Sequence, residues 1–493
     1  MSLPYHFGPS WRRWVRCGGL LLAGSLSAFA SLAQAPAVTA VSPMRNLRNA
    51  ATGSPVNLTF SQSISVGTAG NVRVHSSQRG GQLVRSGGGT VSGGGSTVVQ
   101  FAPAQPWRPG ETVSVSVPTT VQSIGGTAAR PHVYQFTAAA AGGSGVFVSG
   151  YGSSVASTGF SPAGVATGDL DGDGDLDLVH IIFNRSEIVV SLNNGSGVYT
   201  ISSILLTVTP SAVALADFDN DGDLDFAVST GSNATGEVSM YYNNGAGRFL
   251  ANSNAVIGYT VNDVAVGDID GDGDLDVVTA TNRPTASASL LLNNGDGTFA
   301  VTVNALNLGA ELNDVALGDI DNDGDLDVLG VNRSNGNFYA RLNDGSGRFS
   351  GSVSASGLSS ADNLTLGDVD GDGDVDVLVS GSATLSLLRN NGGSFTRSAV
   401  AYNMTPLFPP SATSTYSRIA EDVALADING DGQLDMLVLV SSTSYVTSNG
   451  AGSQLTANPG ELRVLLNTVG SFSPQSSCSV GRGPQALVTG DVD

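Results

Sequence analysis

Residues 268–276 read Asp-Ile-Asp-Gly-Asp-Gly-Asp-Leu-Asp, so carboxylates occupy positions 1, 3, 5, 7 and 9 of a nine-residue segment. Two carboxylates about 4 Å apart repel each other by roughly 4 kcal/mol at an effective dielectric constant of 20. Such crowding is costly unless a cation neutralises the charge. Calcium prefers about six to eight oxygen ligands, and glycine at position 6 allows the bend that turns positions 1, 3 and 5 inward. The segment therefore predicts a calcium-binding loop.

The loop is one part of a repeat of about 50 residues. In the third copy an apolar run, Val264–Val266, enters the loop and Leu275–Val278 leaves it. A third run, Leu290–Asn293, ends at an Asn-Gly turn, which is the strongest short-range signal for a β-hairpin, and Phe299 starts a fourth. Four antiparallel strands per repeat predict a blade of a β-propeller. A β-solenoid is the alternative, but its repeats are much shorter. The first Asp of each loop falls at residues 169, 217, 268, 319, 368 and 427.

The loop is not that of an EF-hand. An EF-hand places a bidentate glutamate at position 12 and a helix on each side, whereas the flanks here are rich in β-branched residues, as in Val277 and Val278. Position 12 is occupied in the six copies by His180, Val228, Thr279, Gly330, Val379 and Val438.

A nine-residue Asp loop between two strands, repeated every 50 residues or so, resembles the FG-GAP/VCBS repeat. That family forms the seven-bladed propeller of integrin α-subunits and binds Ca²⁺ through the side chains of positions 1, 3, 5 and 9 and the carbonyl of position 7. The resemblance covers residues 145–493 and implies about six calcium sites. The implied metal ligands are Asp169, Asp171, Asp173, Asp175 and Asp177; Asp217, Asp219, Asp221, Asp223 and Asp225; Asp268, Asp270, Asp272, Asp274 and Asp276; Asp319, Asp321, Asp323, Asp325 and Asp327; Asp368, Asp370, Asp372, Asp374 and Asp376; and Asp427, Asn429, Asp431, Gln433 and Asp435.

The sixth loop departs from this pattern. Asn429 and Gln433 replace carboxylates at positions 3 and 7. The amide of Asn429 still offers an oxygen, and position 7 still offers its carbonyl. With one carboxylate fewer at a ligand position, we expect this site to bind calcium more weakly than the other five.

The sequence stops two Asp residues into a seventh copy, at 491–493. Residues 484–490 are expected to form the first strand of that copy, and Gly145–Gly150 the last strand of a blade that both ends of the chain share. Such a blade would still lack its two middle strands. We therefore expect the sequence to be a fragment of a longer protein with a seven-bladed ring.

The N-terminus, residues 1–35, has the features of a secretory signal peptide. Arg12, Arg13 and Arg16 form a positive region, Leu20–Leu32 is apolar, and small residues follow at 33–35. Cleavage is expected between residues 30 and 36, so the protein is predicted to be secreted or held at the cell surface. The alternative is a membrane anchor. No other run of about 18 apolar residues occurs, so no membrane span is expected after signal cleavage.

Residues 36–140 contain no Asp loop and precede the repeat region, 141–493. The stretch from Phe101 through Trp107 to Gly110, followed by Tyr134-Gln135-Phe136, resembles a bacterial Ig-like domain. This resemblance implies an all-β sandwich that spaces or presents another part of the protein. The expected strands are Val56–Phe60, Val72–His75, Val98–Phe101, Thr112–Val117 and Val133–Thr137.

Charge is distributed unevenly along the chain. Residues 36–140 carry seven Arg and one acid, whereas residues 141–493 carry 11 Arg and 41 acids. The acidic region would repel nucleic acid and anionic membranes and attract cations. The seven arginines either form a contact face for a sugar or partner, or are scattered and solvated, and the second interpretation is favoured.

The candidate functions follow from what the repeats lack. Three histidines remain after residue 35, namely His75, His132 and His180, and no convergent set of acids, bases and nucleophiles accompanies them. The sequence favours a calcium-binding adhesion or protein-interaction module whose partner is an extracellular protein or glycan. The alternatives are a lectin and the non-catalytic part of a polysaccharide-degrading enzyme. Aromatic side chains recur after the hairpin turn, and this regularity suits strand packing better than a sugar platform: Tyr199, Phe249, Phe299, Phe349, Phe395 and Phe472.

Overall fold

The protein is all-β in a computed structural model. Its helical elements in the described residues are two 3₁₀ turns, Ala69–Asn71 and Phe183–Arg185. The predicted signal peptide and the truncated seventh loop lie outside the described residues. The structure describes residues 34–79, 81–140, 142–144, 146–147, 162–196, 198–231, 236–283, 287–309, 311–358, 360–381, 384–400, 418–442, 445–448, 453–456, 460–480 and 484–490.

Two antiparallel sheets form the N-terminal domain. Their strands alternate buried apolar residues with partly buried polar ones, as in Val56–Phe60, and the inner faces enclose one core around Trp107 and Phe136. The five strands expected here are present, with boundaries shifted by one or two residues. Two more strands, Val38–Ser42 and Gly89–Ser92, escaped sequence reasoning because they are short and largely exposed. The sheets are Val38–Ser42, Val56–Phe60, Val98–Pro103 and Gly89–Ser92 in spatial order, and Arg73–Ser76, Thr112–Val117 and His132–Thr137.

Six four-stranded antiparallel sheets follow in the described part of the repeat region, and we number them sheets 1 to 6. In each, the strands pair in chain order. Their bounds are Pro162–Gly168, Asp177–Ile182, Glu187–Asn193 and Tyr199–Leu205; Pro210–Ala216, Asp225–Thr230, Glu237–Asn243 and Phe249–Val256; Val261–Gly267, Asp276–Thr281, Ala288–Asn293 and Phe299–Leu306; Asp314–Gly318, Asp327–Asn332, Asn337–Asn343 and Phe349–Ala355; Asn363–Gly367, Asp376–Ser380, Leu385–Arg389 and Thr396–Val400; and Arg418–Ala426, Asp435–Ser442, Gly460–Thr468 and Ser471–Val480.

The core of the repeat region lies between consecutive sheets. One cluster joins Phe218 and Met240 of sheet 2 to Val277 and Leu291 of sheet 3. Equivalent clusters join each of the other neighbouring pairs from sheet 1 to sheet 6. Each sheet is too small to bury its faces alone, so burial requires a neighbour on both sides. This is the reason that the repeats stack.

Residues 484–490 lie between sheet 6 and sheet 1. The amide of Leu487 donates to the carboxylate of Asp422 in sheet 6 at 2.7 Å, and a Cβ on Gly490 would lie 2.7 Å from Cδ1 of Leu176, beside sheet 1. This segment forms no strand, contrary to expectation, because no described residue pairs with its backbone as a second strand. Val146 and Phe147 are also outside any strand and exposed, so the strand expected at 145–150 is not found in the part of it that the structure describes.

The last two intervals between Asp loops are longer than the others, which predicts insertions around Met404–Tyr416 and Ser441–Gly460. The one around Met404–Tyr416 lies outside the described residues. The one around Ser441–Gly460 contains a two-stranded hairpin, Tyr445–Ser448 with Ser453–Thr456, between the second and third strands of sheet 6.

Candidate metal centre

Each Asp loop connects the first two strands of a sheet. In sheet 3, Gly267 pairs with Asp276, so the nine residues from Asp268 form the hairpin connection. The same register places Gly318 opposite Asp327 in sheet 4. Glycine precedes the loop because the next sheet packs against it: a Cβ on Gly267 would lie 2.7 Å from Cδ1 of Leu326.

The carboxylate at position 9 ties the second and third strands of its sheet to the loop. In loop 3, Oδ2 of Asp276 accepts the amide of Ile269 at position 2, and Oδ1 accepts the amide of Asn293 at the end of the third strand, both at 2.7 Å. The resemblance to the FG-GAP/VCBS repeat implies that the position 9 side chain is a metal ligand. In the structure each of these oxygens also accepts a backbone N–H, so the residue holds the loop as well.

The carboxylate at position 1 organises the turn. Oδ1 of Asp268 accepts the amide of Gly271 at 2.8 Å, and Oδ2 accepts the amide of Gly273 at 3.0 Å. Gly273 has φ of +95°, a conformation that glycine adopts without strain. The expected use of glycine at position 6 therefore agrees with the backbone of this loop.

Positions 3, 5 and 7 form a ladder along the outside of the loop. Oδ1 of Asp270 accepts the amide of Asp272 at 3.3 Å, and Oδ1 of Asp272 accepts the amide of Asp274 at 2.9 Å. The side chain of Asp274 faces the preceding loop, where Asn220 donates to it at 2.9 Å. A position 7 side chain that points to a neighbouring sheet leaves its backbone carbonyl as the group available to an ion.

Positions 1, 3 and 9 are brought together in the first five loops. In each, one oxygen from each of the three carboxylates lies within 4.8 Å of the other two, and positions 1 and 9 are buried. Carboxylates at position 5 are not part of these groups. The sixth loop is not among the groups found in the described residues, since Asn429 stands at its position 3. The grouped residues are Asp169, Asp171 and Asp177; Asp217, Asp219 and Asp225; Asp268, Asp270 and Asp276; Asp319, Asp321 and Asp327; and Asp368, Asp370 and Asp376.

Burial makes these carboxylates costly to ionise without a cation. The pKa of Asp225 and that of Asp327 are each raised to about 8, mainly by loss of hydration and also by neighbouring carboxylates. The pKa of Asp268 is raised to about 8 for the same reasons. A divalent cation between positions 1, 3 and 9 would reverse this penalty.

The donor set fits a hard cation. The three grouped ligands of each site supply only oxygens, the donor type that calcium selects. In loops 2 and 4, Oδ1 of Asp217 and of Asp319 is buried without a hydrogen-bond partner in the described part of the chain. Both loops carry asparagine rather than glycine at position 4, and both asparagines have positive φ. These free oxygens give the clearest geometric sign of a ligand at the loops.

An asparagine that sequence reasoning missed joins each of these loops to its neighbour. Nδ2 of Asn293 donates to the carbonyl of Phe218 in the preceding loop at 2.7 Å and to the carbonyl of Leu275 at 3.1 Å. The sequence could have indicated it, because this asparagine immediately precedes an Asn-Gly turn, as Asn343 precedes an Asp-Gly turn. Asn243, Asn343, Asn390 and Asn467 make the equivalent bond to the preceding loop.

Loop 5 differs from the other Asp-rich loops in that an arginine forms an ion pair with its position 3 aspartate. Nη1 of Arg389 lies 2.6 Å from Oδ2 of Asp370. The corresponding positions of sheets 1, 3 and 4 hold Leu192, Leu292 and Leu342. The first five loops are therefore nearly identical in sequence, but loop 5 has an additional positive charge beside its carboxylates.

The N-terminal domain covers the face on which the loops lie. Arg108 pairs with Asp169 of loop 1, Arg45 with Asp319 of loop 4, and Arg48 with Asp368 of loop 5. In loop 2 the amide of Gln82 donates to Asp217. In loop 3, Nε2 of His75 lies 3.3 Å from the carbonyl of Gly273, and Arg73 packs beside the same glycine. Loop 6 is contacted from outside residues 36–140, where the amide of Gly143 donates to the carbonyl of Ile428. Arg45, Arg48 and Arg108 are thus buried against the loops rather than solvated, and their charged groups face carboxylates of this chain rather than a sugar.

The histidines and aromatics form no second site among the described residues. His75 and His132 are buried against loops 3 and 4, and loss of hydration lowers the pKa of each to about 4. The aromatics after the hairpin turns pack between sheets, as Phe299 does edge-on against Phe218 and Phe395 against Phe338. Their packing agrees with a structural role.

Two family models match the chain. The FG-GAP-like repeat matches four times, over residues 217–279, 269–330, 319–379 and 368–438. Each match begins in one Asp loop, includes the next Asp loop, and ends in the strand that follows it. Residues 217–438 thus consist of FG-GAP-like repeats. A bacterial Ig-like domain matches residues 33–138. The two matches confirm both resemblances that the motifs indicated.

Solved structures match this chain only at low identity and low TM-score, and no curated protein matches. A protein from Lactobacillus plantarum is 13% identical with a TM-score of 0.37, covering 64% of this chain and 93% of its own. A functionally unknown protein from Desulfotomaculum acetoxidans is 14% identical with a TM-score of 0.42, covering 64% and 85%. BBS1N, in a complex with ARL6DN, is 16% identical with a TM-score of 0.38, covering 68% and 95%. In the described part of the FG-GAP-like repeat protein, no helix has the length and apolar character needed to cross a bilayer.

Proposed function

We propose that this FG-GAP-like repeat protein is an exported β-propeller that binds calcium in its Asp loops and serves as an adhesion or protein-interaction module. The observation that carries the calcium assignment is the grouping of three carboxylates, at positions 1, 3 and 9, in five loops. A single acidic turn is common on protein surfaces. Five copies in one register, with buried oxygens and raised pKa values, require a compensating charge.

The propeller assignment rests on the contacts between neighbouring sheets. Sheets 1 to 6 share a core pairwise, and residues 484–490 contact both sheet 6 and sheet 1. We propose a ring of seven blades, in which residues 484–490 lie at the position of the seventh. The domain boundaries that we propose remain residues 1–35, 36–140 and 141–493.

Calcium would act on stability, because it binds the folded loops and not the unfolded chain. Occupancy at ten times the dissociation constant contributes about 1.4 kcal/mol per site. Carboxylates at positions 1, 3 and 9, joined by position 5 and the carbonyl of position 7, would hold each ion. External calcium at millimolar concentration fills even the weak sites of extracellular modules.

The experiment is thermal unfolding of the metal-free protein with added Ca²⁺, with added Mg²⁺ and with excess EDTA. We expect the melting temperature to rise with Ca²⁺ by more than 10 °C, to rise less with Mg²⁺, and to fall back with EDTA. Magnesium tests selectivity because it demands a smaller octahedral shell. Identical melting curves in Ca²⁺ and EDTA would remove the calcium assignment.

The partner would be an extracellular protein or a glycan. The packed aromatics after the hairpin turns leave no recurring sugar platform among the described residues, which favours protein over glycan. A glycan array in the presence of calcium separates the two, and a reproducible glycan signal would restore the lectin alternative.

A further inference from the structure

Three arginines of the N-terminal domain reach the position 1 carboxylates of loops 1, 4 and 5. Nη2 of Arg108 lies 3.1 Å from Oδ2 of Asp169, and Nε of Arg48 lies 4.0 Å from Oδ2 of Asp368. Nη1 of Arg45 donates to Oδ2 of Asp319. All three arginine side chains are less than 20% exposed and their partners less than 10%. These are interface contacts rather than solvated surface charges.

The position 1 carboxylate is also a candidate ligand of the metal. Asp169, Asp319 and Asp368 each belong to a group of three carboxylates that could hold an ion. A guanidinium and a divalent cation that approach the same carboxylate repel each other, and each reduces the attraction that the other feels. The two interactions are therefore coupled, and the coupling must be equal in both directions.

We propose that Arg45, Arg48 and Arg108 are built-in counter-ions that hold the N-terminal domain on the loop face when calcium is scarce. Calcium binding in loops 1, 4 and 5 weakens this docking, and docking lowers the calcium affinity of these loops. This inference rests on the proposed function, that the loops bind calcium. The N-terminal domain then acts as a cap whose hold on the loop face is set by the calcium concentration.

Loop 2 provides an internal contrast. The N-terminal domain contacts its position 1 residue, Asp217, through the backbone amide of Gln82 at 3.0 Å. No ion pair to this loop occurs among the described residues. A neutral donor opposes a cation far less than a guanidinium does, so docking leaves the affinity of loop 2 nearly unchanged. The cap therefore divides loops of similar sequence into two affinity classes.

The charge of the two domains fits this arrangement. Residues 36–140 carry seven arginines and one acid, Glu111, and that acid is buried beside Arg79 within the domain. The covered face belongs to a region with 41 acids. Docking of such a domain is sensitive to ionic strength, because part of the attraction is between charges at a partly exposed interface.

The first test measures calcium affinity in the whole protein. Calcium is titrated calorimetrically into the metal-free wild type and into the triple variant R45A/R48A/R108A at low ionic strength. We expect three of the sites to bind at least about threefold more tightly in the variant. The matched control is R333A, since Arg333 pairs with Asp362 outside the loops. R45K/R48K/R108K keeps the charge and should bind like the wild type.

The second test measures docking without relying on calcium. Cysteines that replace the exposed residues Thr97 and Ser202, in a Cys478→Ser background, carry spin labels. The distribution of distances between the two labels is recorded by electron paramagnetic resonance. In EDTA we expect a narrow distribution for the wild type and a broad one for the triple variant. Calcium should broaden the wild-type distribution. Circular dichroism confirms that each variant is folded.

The outcomes separate this proposal from the proposed function. If the wild type binds no calcium in the titration, the calcium function fails and the calcium-dependent part of the cap fails with it. If calcium binds but the folded triple variant has unchanged or weaker affinity, the coupling is wrong. If the distance distribution in EDTA is the same with and without the three arginines, they do not hold the domain.

Discussion

Nδ2 of Asn293 lies 2.7 Å from the carbonyl oxygen of Phe218, which belongs to the preceding Asp loop. The same amide reaches the carbonyl of Leu275 in its own loop. One buried side chain thus fixes the distance between two neighbouring loops. Its backbone amide is held by Asp276, so the hydrogen-bond network runs from one candidate metal centre to the next.

Substitution of this asparagine should therefore destabilise the fold. In Asn293→Ala two buried carbonyls lose their donor, and we expect a loss of roughly 2–4 kcal/mol in the free energy of unfolding. Urea denaturation in constant calcium measures it. The control is Asn254→Ala on an exposed strand, which should change stability by less than about 0.5 kcal/mol. An equal decrease in the free energy of unfolding in the two variants would show that the hydrogen bond between the loops contributes no more to stability than an exposed side chain.

Removal of one position 9 carboxylate should cost more stability with calcium than without it. Burial raises the pKa of Asp276 well above its usual value, so the ionised form is costly in the metal-free protein. Asp276→Asn should lower the melting temperature modestly in EDTA, because its NH2 group would face a backbone N–H that the carboxylate accepts, and should lower it further in calcium with loss of one bound ion. Calorimetric titration and thermal unfolding check both.

The control for this prediction is Asp296→Asn, in the exposed hairpin turn of the same sheet. We expect it to leave calcium stoichiometry and melting temperature unchanged. If Asp276→Asn lowers stability equally in EDTA and in calcium, its role is to hold the loop and not to bind an ion.

Loop 5 should bind calcium more weakly than its sequence suggests. Arg389 pairs with its position 3 residue, Asp370, whereas other sheets have leucine at the corresponding position. Arg389→Leu removes a competing positive charge, and we expect several-fold tighter binding at one site in a calorimetric titration. Arg397→Leu, on the next strand, is the control and should change nothing. An unchanged affinity in Arg389→Leu would mean that the ion pair does not compete with the metal.

A second cluster of buried acids should make stability fall as pH rises. The carboxyls of Asp263 and Asp314 share a hydrogen bond, which requires that one of them keeps its proton, and burial raises the pKa of both. Burial also raises the pKa of nearby Asp422 to about 7. An acid with a raised folded-state pKa favours folding below its unfolded-state pKa, near 4, and loses that contribution as pH rises through the folded value.

The test is the difference in unfolding free energy between the wild type and Asp314→Asn, measured from pH 5 to pH 8 in EDTA. Taking the difference cancels the titration of the loop carboxylates. Asparagine is the residue of sheet 5 at this position, Asn363, so the sheet tolerates it. We expect the variant to become more stable relative to the wild type as pH rises. A difference that stays constant across this range would show that the pair does not titrate there.

Much of the repeat region could be predicted because each step depends on neighbours in the chain. Alternating apolar residues, the Asn-Gly turn and the glycine at position 6 act within a few residues of one another, and the strands around residues 264–299 follow from them. The segment at 484–490 was predicted less well, since a strand exists only when another segment pairs with it. The bridging role of Asn293 was not predicted either, because its partner Phe218 is 75 residues away in the sequence.

The sequence by itself determined the all-β class, the loops and the position of every candidate ligand, since these depend on local spacing and charge. The tertiary structure decided which carboxylates meet and what else lies beside them. It grouped positions 1, 3 and 9, placed Arg389 on Asp370, and placed the arginines of the N-terminal domain on the loop face. Electrostatic free energy depends on distance and burial, and neither is fixed until chain segments far apart in sequence have packed together.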